Sequence, residues 1–115
     1  MQPDRVYVVD GPSADGTKEH LAAWQAQAGN RVVLKDDQLR GIAAARNIGL
    51  HSCTEDLVAF LDDDAVASPG WLRALRGAFD DPAVGLAGGP VIDAESGGLQ
   101  FHHGAVSKSG RAYSV

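Results

Sequence analysis

The chain has 115 residues, 44% of them apolar and 22% charged, with a formal net charge of −5. That length suits one domain or part of one, and the composition is ordinary for a globular protein. A mildly acidic chain with scattered Lys and Arg has no electrostatic footprint for nucleic acid and no basic stretch for an anionic membrane surface. No apolar run approaches a transmembrane length, and Met1-Gln2-Pro3-Asp4-Arg5 opens without a signal-peptide core.

In chain order, Arg5-Val6-Tyr7-Val8-Val9 is a β-branched and aromatic run that stops at Asp10-Gly11-Pro12, a strand followed by a turn. Ser13, Asp15 and Thr17 supply local capping and turn-forming groups. A helix carrying Leu21, Ala22, Trp24, Ala26 and Ala28 follows and is stopped by Gly29-Asn30. Arg31-Val32-Val33-Leu34 is a second strand, and the alanine-rich stretch from Gly41 to Leu50 is a second helix. Leu57-Val58-Ala59-Phe60-Leu61 is continuously apolar, the pattern of a strand buried on both faces, and it breaks into Asp62-Asp63-Asp64. Pro69 stands where a third helix starts, with Trp71, Leu72, Leu75 and Phe79 on one face. Residues 84–92 are apolar but interrupted by Gly85, Gly88, Gly89 and Pro90, a kinked strand, and a further strand is expected over 99–106. The β-α-β-α-β-α-β order predicts an α/β fold, a mostly parallel sheet covered by helices, with residues 1–115 as one domain. No repeat, linker or low-complexity segment interrupts it.

Ligands of open α/β sheets bind outside the carboxyl ends of the strands, and two strands here end in acid: the first at Asp10, the third at Asp62-Asp63-Asp64. Adjacent carboxylates repel, and a divalent cation relieves that cost. Asp62 and Asp64 can point the same way from an extended segment and offer hard oxygens suited to Mg²⁺ or Mn²⁺, with a diphosphate completing the coordination. The alternative is a solvated acidic turn capping the next helix. Asp10 can accept hydrogen bonds from a base or sugar. Arg46 sits in an apolar helical stretch, where either a diphosphate or strand-end carboxylate pairs it or it reaches solvent from the helix edge; spacing does not decide. His102 and His103 point to opposite faces of a strand and read, like His20 and His51, as solvated residues. Trp24 and Trp71 read as core residues or as packing against neighbouring loops. The single cysteine, Cys53, excludes an internal disulfide and fits a reducing, cytoplasmic setting. It reads as a small apolar residue at a helix end rather than as a nucleophile.

Val8-Val9-Asp10-Gly11-Pro12-Ser13-Ala14-Asp15-Gly16-Thr17 resembles the nucleotide-binding loop of family 2 glycosyltransferases, which have the Rossmann-like GT-A fold. Gly41-Ile42-Ala43-Ala44-Ala45-Arg46-Asn47-Ile48-Gly49-Leu50 is similar to that family's helix ending in Ala-Arg-Asn-x-Gly. The run Val58-Ala59-Phe60-Leu61-Asp62-Asp63-Asp64, followed by Pro69-Gly70-Trp71-Leu72, resembles its Asp-x-Asp segment and following helix, and Val84-Gly85-Leu86-Ala87-Gly88-Gly89 matches the next strand. The order and spacing agree across residues 6 to 90.

The resemblance implies a metal-dependent, inverting transfer of sugar from a nucleoside diphosphate donor (UDP-, GDP- or dTDP-sugar) to an acceptor hydroxyl. Asp10 would contact the base, Arg46 the base or diphosphate, and Asp62 and Asp63 the nucleotide sugar. Asp62 and Asp64 would hold Mn²⁺ or Mg²⁺. Gly11-Pro12 departs from the family's usual acidic or Asn residue and Gly, which bears on donor preference. The family's apolar first strand, central between the strands ending at Asp10 and Asp62, has no counterpart here. The chain is therefore expected to be the N-terminal part of the domain, shortened at both ends, with ladder edges left for a second copy or a complementing chain. The family's catalytic base lies well downstream of the Asp-x-Asp segment; Asp93 and Glu95 come too early to match it, so no base is assigned. The alternatives are a non-catalytic nucleotide- and metal-binding remnant, a structural assembly, or another α/β phosphate-handling protein. The last is disfavoured by the lack of a P-loop and of Ser or Thr two residues after Asp64.

Overall fold

The computed structural model describes residues 1–36, 38 and 41–100, with the backbone alone at 104–106 and 112–114. These fall into two compact units, Met1–Leu72 and Arg73–Val115.

The first unit is built on a βαβ arrangement followed by a helix. Strand β1, Val6–Asp10, pairs in parallel with β2, Val32–Asp36, from Val6 opposite Val32 to Asp10 opposite Asp36. Helix α1, Thr17–Ala28, connects them and packs on β2; α2, Ile42–Ser52, packs on β1. Parallel strands cannot be joined by a tight hairpin, so a crossover helix of this kind is the expected connection. Gly29 ends α1 at φ +61 while its N–H still donates to the Gln25 carbonyl, a backbone position that a Cβ would strain. A single-turn 3₁₀ segment, Gly29–Arg31, then delivers the chain into β2. The second strand thus begins one residue later and runs two residues further than the apolar pattern indicates.

Among the described residues Val32 is the most enclosed apolar side chain, 2% exposed. The Gln25 amide reaches across from α1 to donate to the Val32 carbonyl at 3.0 Å, so the helix satisfies backbone polarity where it covers the strand. At Gly49 α2 lies close to β1: a Cβ there would stand 3.7 Å from Val9 Cγ2, an ordinary packing distance. Trp24 is 43% exposed and lines a shallow hollow with Pro3, Val6 and Ala28, so it packs against neighbouring segments and is not a core residue.

Residues 57–61 correct the sequence reading. They form no strand; Leu57, Val58, Phe60 and Leu61 are between 41% and 52% exposed. A run of this composition becomes a buried strand only when neighbouring backbone completes its ladder and other elements cover its faces. Among the described residues no backbone pairs with it.

Helix α3, Trp71–Ala78, starts two residues after Pro69, because Ser68 to Trp71 is first closed as a turn with Gly70 at φ +85. Its half-buried positions are Trp71 and Leu72, then Leu75, with Phe79 just beyond the last turn: the stripe expected from the 3.6-residue period. In the second unit, residues 84–92 form no regular strand. A single antiparallel bridge joins Ile92 to Leu99, and Leu86 is 92% exposed. The intervening turn is knitted by Asp93, whose carboxylate accepts from the Ser96 N–H and hydroxyl, both at 2.7 Å. Gly97 completes it at φ +67. Strands β3, Gly104–Val106, and β4, Ala112–Ser114, pair antiparallel within part of the expected 99–106 strand region and beyond it. His102 and His103 lie outside the described residues. Among the described residues no helix is long and apolar enough to cross a membrane.

Candidate functional site

The carboxyl ends of β1 and β2 stand side by side, and each ends in aspartate: Asp10 opposite Asp36. Asp36 was not legible as a strand end because Lys35 interrupts the apolar pattern; the signal was the acidic residue itself, the same one that marked Asp10. Its carboxylate accepts the Gln38 N–H at 3.1 Å, and Gln38 takes φ +51.

Asp10 is half-buried, and its Oδ1 accepts the Ser13 hydroxyl at 2.6 Å. Ser13 therefore does not cap the following helix. That turn is made by Asp15, which accepts both the Thr17 N–H at 3.2 Å and the Thr17 hydroxyl at 2.6 Å. The hydroxyl and N–H of Thr17 hold the Asp15 carboxyl below its usual range.

Arg46 lies one helical turn before Gly49 on the same side of α2, and α2 packs on β1, the strand that ends at Asp10. The guanidinium Nη2 of Arg46 donates to Asp62 Oδ1 at 2.9 Å, and its Cζ stands 5.8 Å from the centre of the Phe60 ring. Of the two partners left open by spacing, the structure supplies the carboxylate. Both side chains are about half exposed, so the pair contributes little to stability; its interest is placement. Asp62 opens a turn closed by the Ala65 N–H donating to the Asp62 carbonyl at 3.1 Å, with Asp63 and Asp64 exposed at its tip. The geometry that would align Asp62 with Asp64 is thus that of a turn, not of an extended strand. Among the described residues no cation pairs with Asp63 or Asp64, and no group of three or more His, Cys, Asp and Glu side chains converges as a complete metal site. Two neighbouring carboxylates with free access to water fit a hard divalent cation that takes its remaining ligands from water and phosphate.

Asp10 with Ser13 and Asp36 form one group, and Arg46 with Phe60 and Asp62 to Asp64 form another; among the described residues no hydrogen bond links them. In the second group three aspartates, Asp62 to Asp64, accompany one arginine. An anionic ligand would meet net repulsion there unless a cation came with it.

Behind α2, Glu55 gathers contacts that had no sequence signal. It accepts the Thr54 N–H at 2.9 Å and the Tyr7 hydroxyl at 3.1 Å, and pairs with Arg5 Nε at 3.5 Å. The Thr54 N–H, then Tyr7 and Arg5, hold its carboxyl below the usual range. Cys53, half-buried at the end of α2, donates its thiol to the Gly49 carbonyl at 3.2 Å. Burial, with the Glu55 charge adding to it, pushes the thiol up and away from thiolate character, in keeping with a structural cysteine. Asp93 is held below the usual range by the Ser96 N–H and hydroxyl, the opposite of a base tuned towards neutrality. Two surface hollows lie towards the amino ends of the strands, one beside Arg5, Gln25 and Val33 and one beside Trp24, and neither meets the acidic edge.

The family described as Glycosyl transferase family 2 matches residues 1–113 of the chain. A pre-mycofactocin glycosyltransferase of Mycobacterium tuberculosis is 46% identical over 65 residues, 56% of this chain and 14% of that protein. Glycosyltransferase AglE of Haloferax volcanii is 36% identical over 86 residues, 75% of this chain and 28% of AglE. A glucosyl-dolichyl phosphate glucuronosyltransferase of the same organism is 37% identical over 82 residues, 68% of this chain and 26% of that protein. The chain thus spans less than a third of each of these relatives. No solved structure matches it.

Proposed function

Because the chain belongs to glycosyl transferase family 2, we propose that residues 1–115 are part of one donor-binding domain of an enzyme that moves a sugar from a nucleoside diphosphate to an acceptor hydroxyl. The parallel β1–β2 pair with its helices is a partial α/β GT-A fold. The observation that carries the reading is the Arg46–Asp62 pair at 2.9 Å beside exposed Asp63 and Asp64. It joins the family's arginine-bearing helix to its acidic segment.

Asp10 accepts from the nucleobase. Arg46 stands where it can meet the base or the diphosphate, and Asp62 and Asp63 face the nucleotide sugar. Asp62 and Asp64 would hold Mn²⁺ or Mg²⁺. Bound there, the cation supplies Lewis-acid neutralisation of the diphosphate leaving group. The acidic turn supports this reading, since three carboxylates beside one guanidinium would otherwise repel a diphosphate. Transfer is read as inverting, with the acceptor's proton taken by a carboxylate outside the residues named here.

The donor is a UDP-, GDP- or dTDP-sugar. A second copy or complementing chain beside β1 belongs to the same proposal, supported by the exposed apolar residues 57–61. So does a cytoplasmic setting, supported by the single unbridged cysteine.

Calorimetric titration of the chain with UDP, GDP and dTDP, with and without Mn²⁺, tests the reading. Saturable binding that requires Mn²⁺ and disappears in Asp64→Ala is expected. A folded chain that binds none of the three would sink the donor-site reading. Metal-dependent binding that survives Asp64→Ala would remove the metal assignment alone.

A further inference from the structure

The Ser13 hydroxyl has a choice of acceptors, and it takes the carboxylate of Asp10. At 2.6 Å the Oγ···Oδ1 distance is at the short end for O–H···O and typical of a hydroxyl bonded to an ionised acceptor. The Gly11 carbonyl, at 3.4 Å from the same hydroxyl, is a poor second. The segment carrying Ser13 is itself closed: its N–H donates to the Gly11 carbonyl at 2.7 Å, and Pro12 between them has its φ locked by the ring. At the other end, the Asp10 backbone is the last residue of a strand in register with Asp36. The carboxylate is therefore held twice, through its main chain by the β1–β2 ladder and through Oδ1 by Ser13. Among the described residues no other side chain donates to it.

We propose that Ser13 is a positioning residue for nucleotide binding, holding the Asp10 carboxylate in one rotamer so that Oδ2 is free to accept an N–H of the base. The proposal rests on the reading of Asp10 as the base-contacting residue. A partly exposed Asp that must be ordered by its ligand loses side-chain freedom on binding; one already fixed in the free chain does not. The hydroxyl also fills one acceptor position on Oδ1 that water would otherwise occupy and a ligand would have to clear.

The test is a double-mutant cycle on the full chain, read as the dissociation constant of UDP, GDP and dTDP with Mn²⁺, with the thermal midpoint measured alongside. Ser13→Ala leaves the Ser13 N–H bond to Gly11 in place, so the midpoint should hold while the tightest nucleotide weakens about tenfold. Ser13→Thr keeps the hydroxyl and should stay within roughly twofold of the parent. Ser13→Cys, similar in volume but a weak donor, should repeat most of the loss. In an Asp10→Ala background, where the acceptor of the Ser13 hydroxyl is gone, Ser13→Ala should add nothing, because its effect passes through the carboxylate. Should Asp10→Ala weaken binding while Ser13→Ala does not, Ser13 is a turn former only and the Asp10 reading stands. Additive losses would equally overturn the positioning role. Unchanged binding in Asp10→Ala would remove the Asp10 reading and this proposal with it.

Discussion

Residues 6–10 and residues 57–61 are both short apolar runs that feed an aspartate, yet only the first is a strand. Val6–Asp10 has β2 alongside it and α2 across it. The second run has no ladder partner among the described residues and leaves four large apolar side chains roughly half exposed. Composition is similar; surroundings are not. A strand's stability is held in cross-strand and face contacts more than in any intrinsic backbone preference, so a run with no neighbours gains little from being apolar. The acidic residues after both runs keep their local turns regardless, through Ser13 at Asp10 and Ala65 at Asp62.

The largest effect separating the two regions should come from Val32, the residue opposite Val6. Val32→Asp would place an uncompensated charge where only 2% of the side chain is exposed, and loss of the folded first unit is expected in thermal denaturation. Val32→Ala removes two buried carbons and should cost about 2 kcal/mol. A chain indifferent to Val32→Asp would mean that β1 and β2 are not the organising pair.

How much of this could be read from the amino acids alone depends on distance. The strand end at Asp10 and the helix that carries Arg46 were legible because each belongs to a local pattern, a strand running into a turn and an alanine-rich helix. The half-buried stripe of Trp71, Leu72 and Leu75 followed from helical period. Residues 57–61 were misread because period and composition report that a side chain can be buried, while burial itself is decided by what lies opposite. Glu55 was missed because its partner Tyr7 is 48 residues away. Ser13 was read as a capping or turn-forming group because local rules offer a backbone donor first; the carboxylate three residues earlier competes for the hydroxyl and wins.

A smaller effect is expected in the second unit, where the turn between Ile92 and Leu99 depends on Gly97 at φ +67. Gly97→Ala should destabilise that turn by about 1 kcal/mol. Amide exchange of Asp93, whose N–H donates to the Gly98 carbonyl at 2.8 Å, should quicken severalfold while that of Val32 is unchanged. Faster exchange in both units would tie them into one cooperative structure.

Acid distinguishes a long-range contact from a local one. The Glu55 and Asp93 carboxyls are both held below their ordinary value, by the Thr54 N–H and by the Ser96 N–H respectively as the first cause. A depressed carboxyl adds stability that is present above the unfolded value, about pH 4, and is lost as pH falls through the lower folded value. As pH falls below about 4, loss of the Glu55 contact should alter the Tyr7 ring resonances, since the two are joined across 48 residues, whereas protonating Asp93 should disturb only residues 93–98. Tyr7→Phe removes one of Glu55's donors and should move its titration upward. An unmoved titration would leave the depression to the Thr54 N–H and the Arg5 charge.

The smallest change is expected from Leu61→Ala. Leu61 is 52% exposed, so truncation withdraws little area from contact, and the cost should be well under about 1 kcal/mol. The value of this variant lies in its comparison with Val32→Ala, which deletes fewer carbons yet should cost more because they are enclosed. A loss at Leu61 as large as that at Val32 would mean that residues 57–61 are buried in solution, which requires a ladder partner for their backbone. Denaturation midpoints that rise with protein concentration would then identify that partner as another copy of the chain, because only association makes stability depend on concentration. A large loss at a fixed midpoint would instead place the covering element within the same chain.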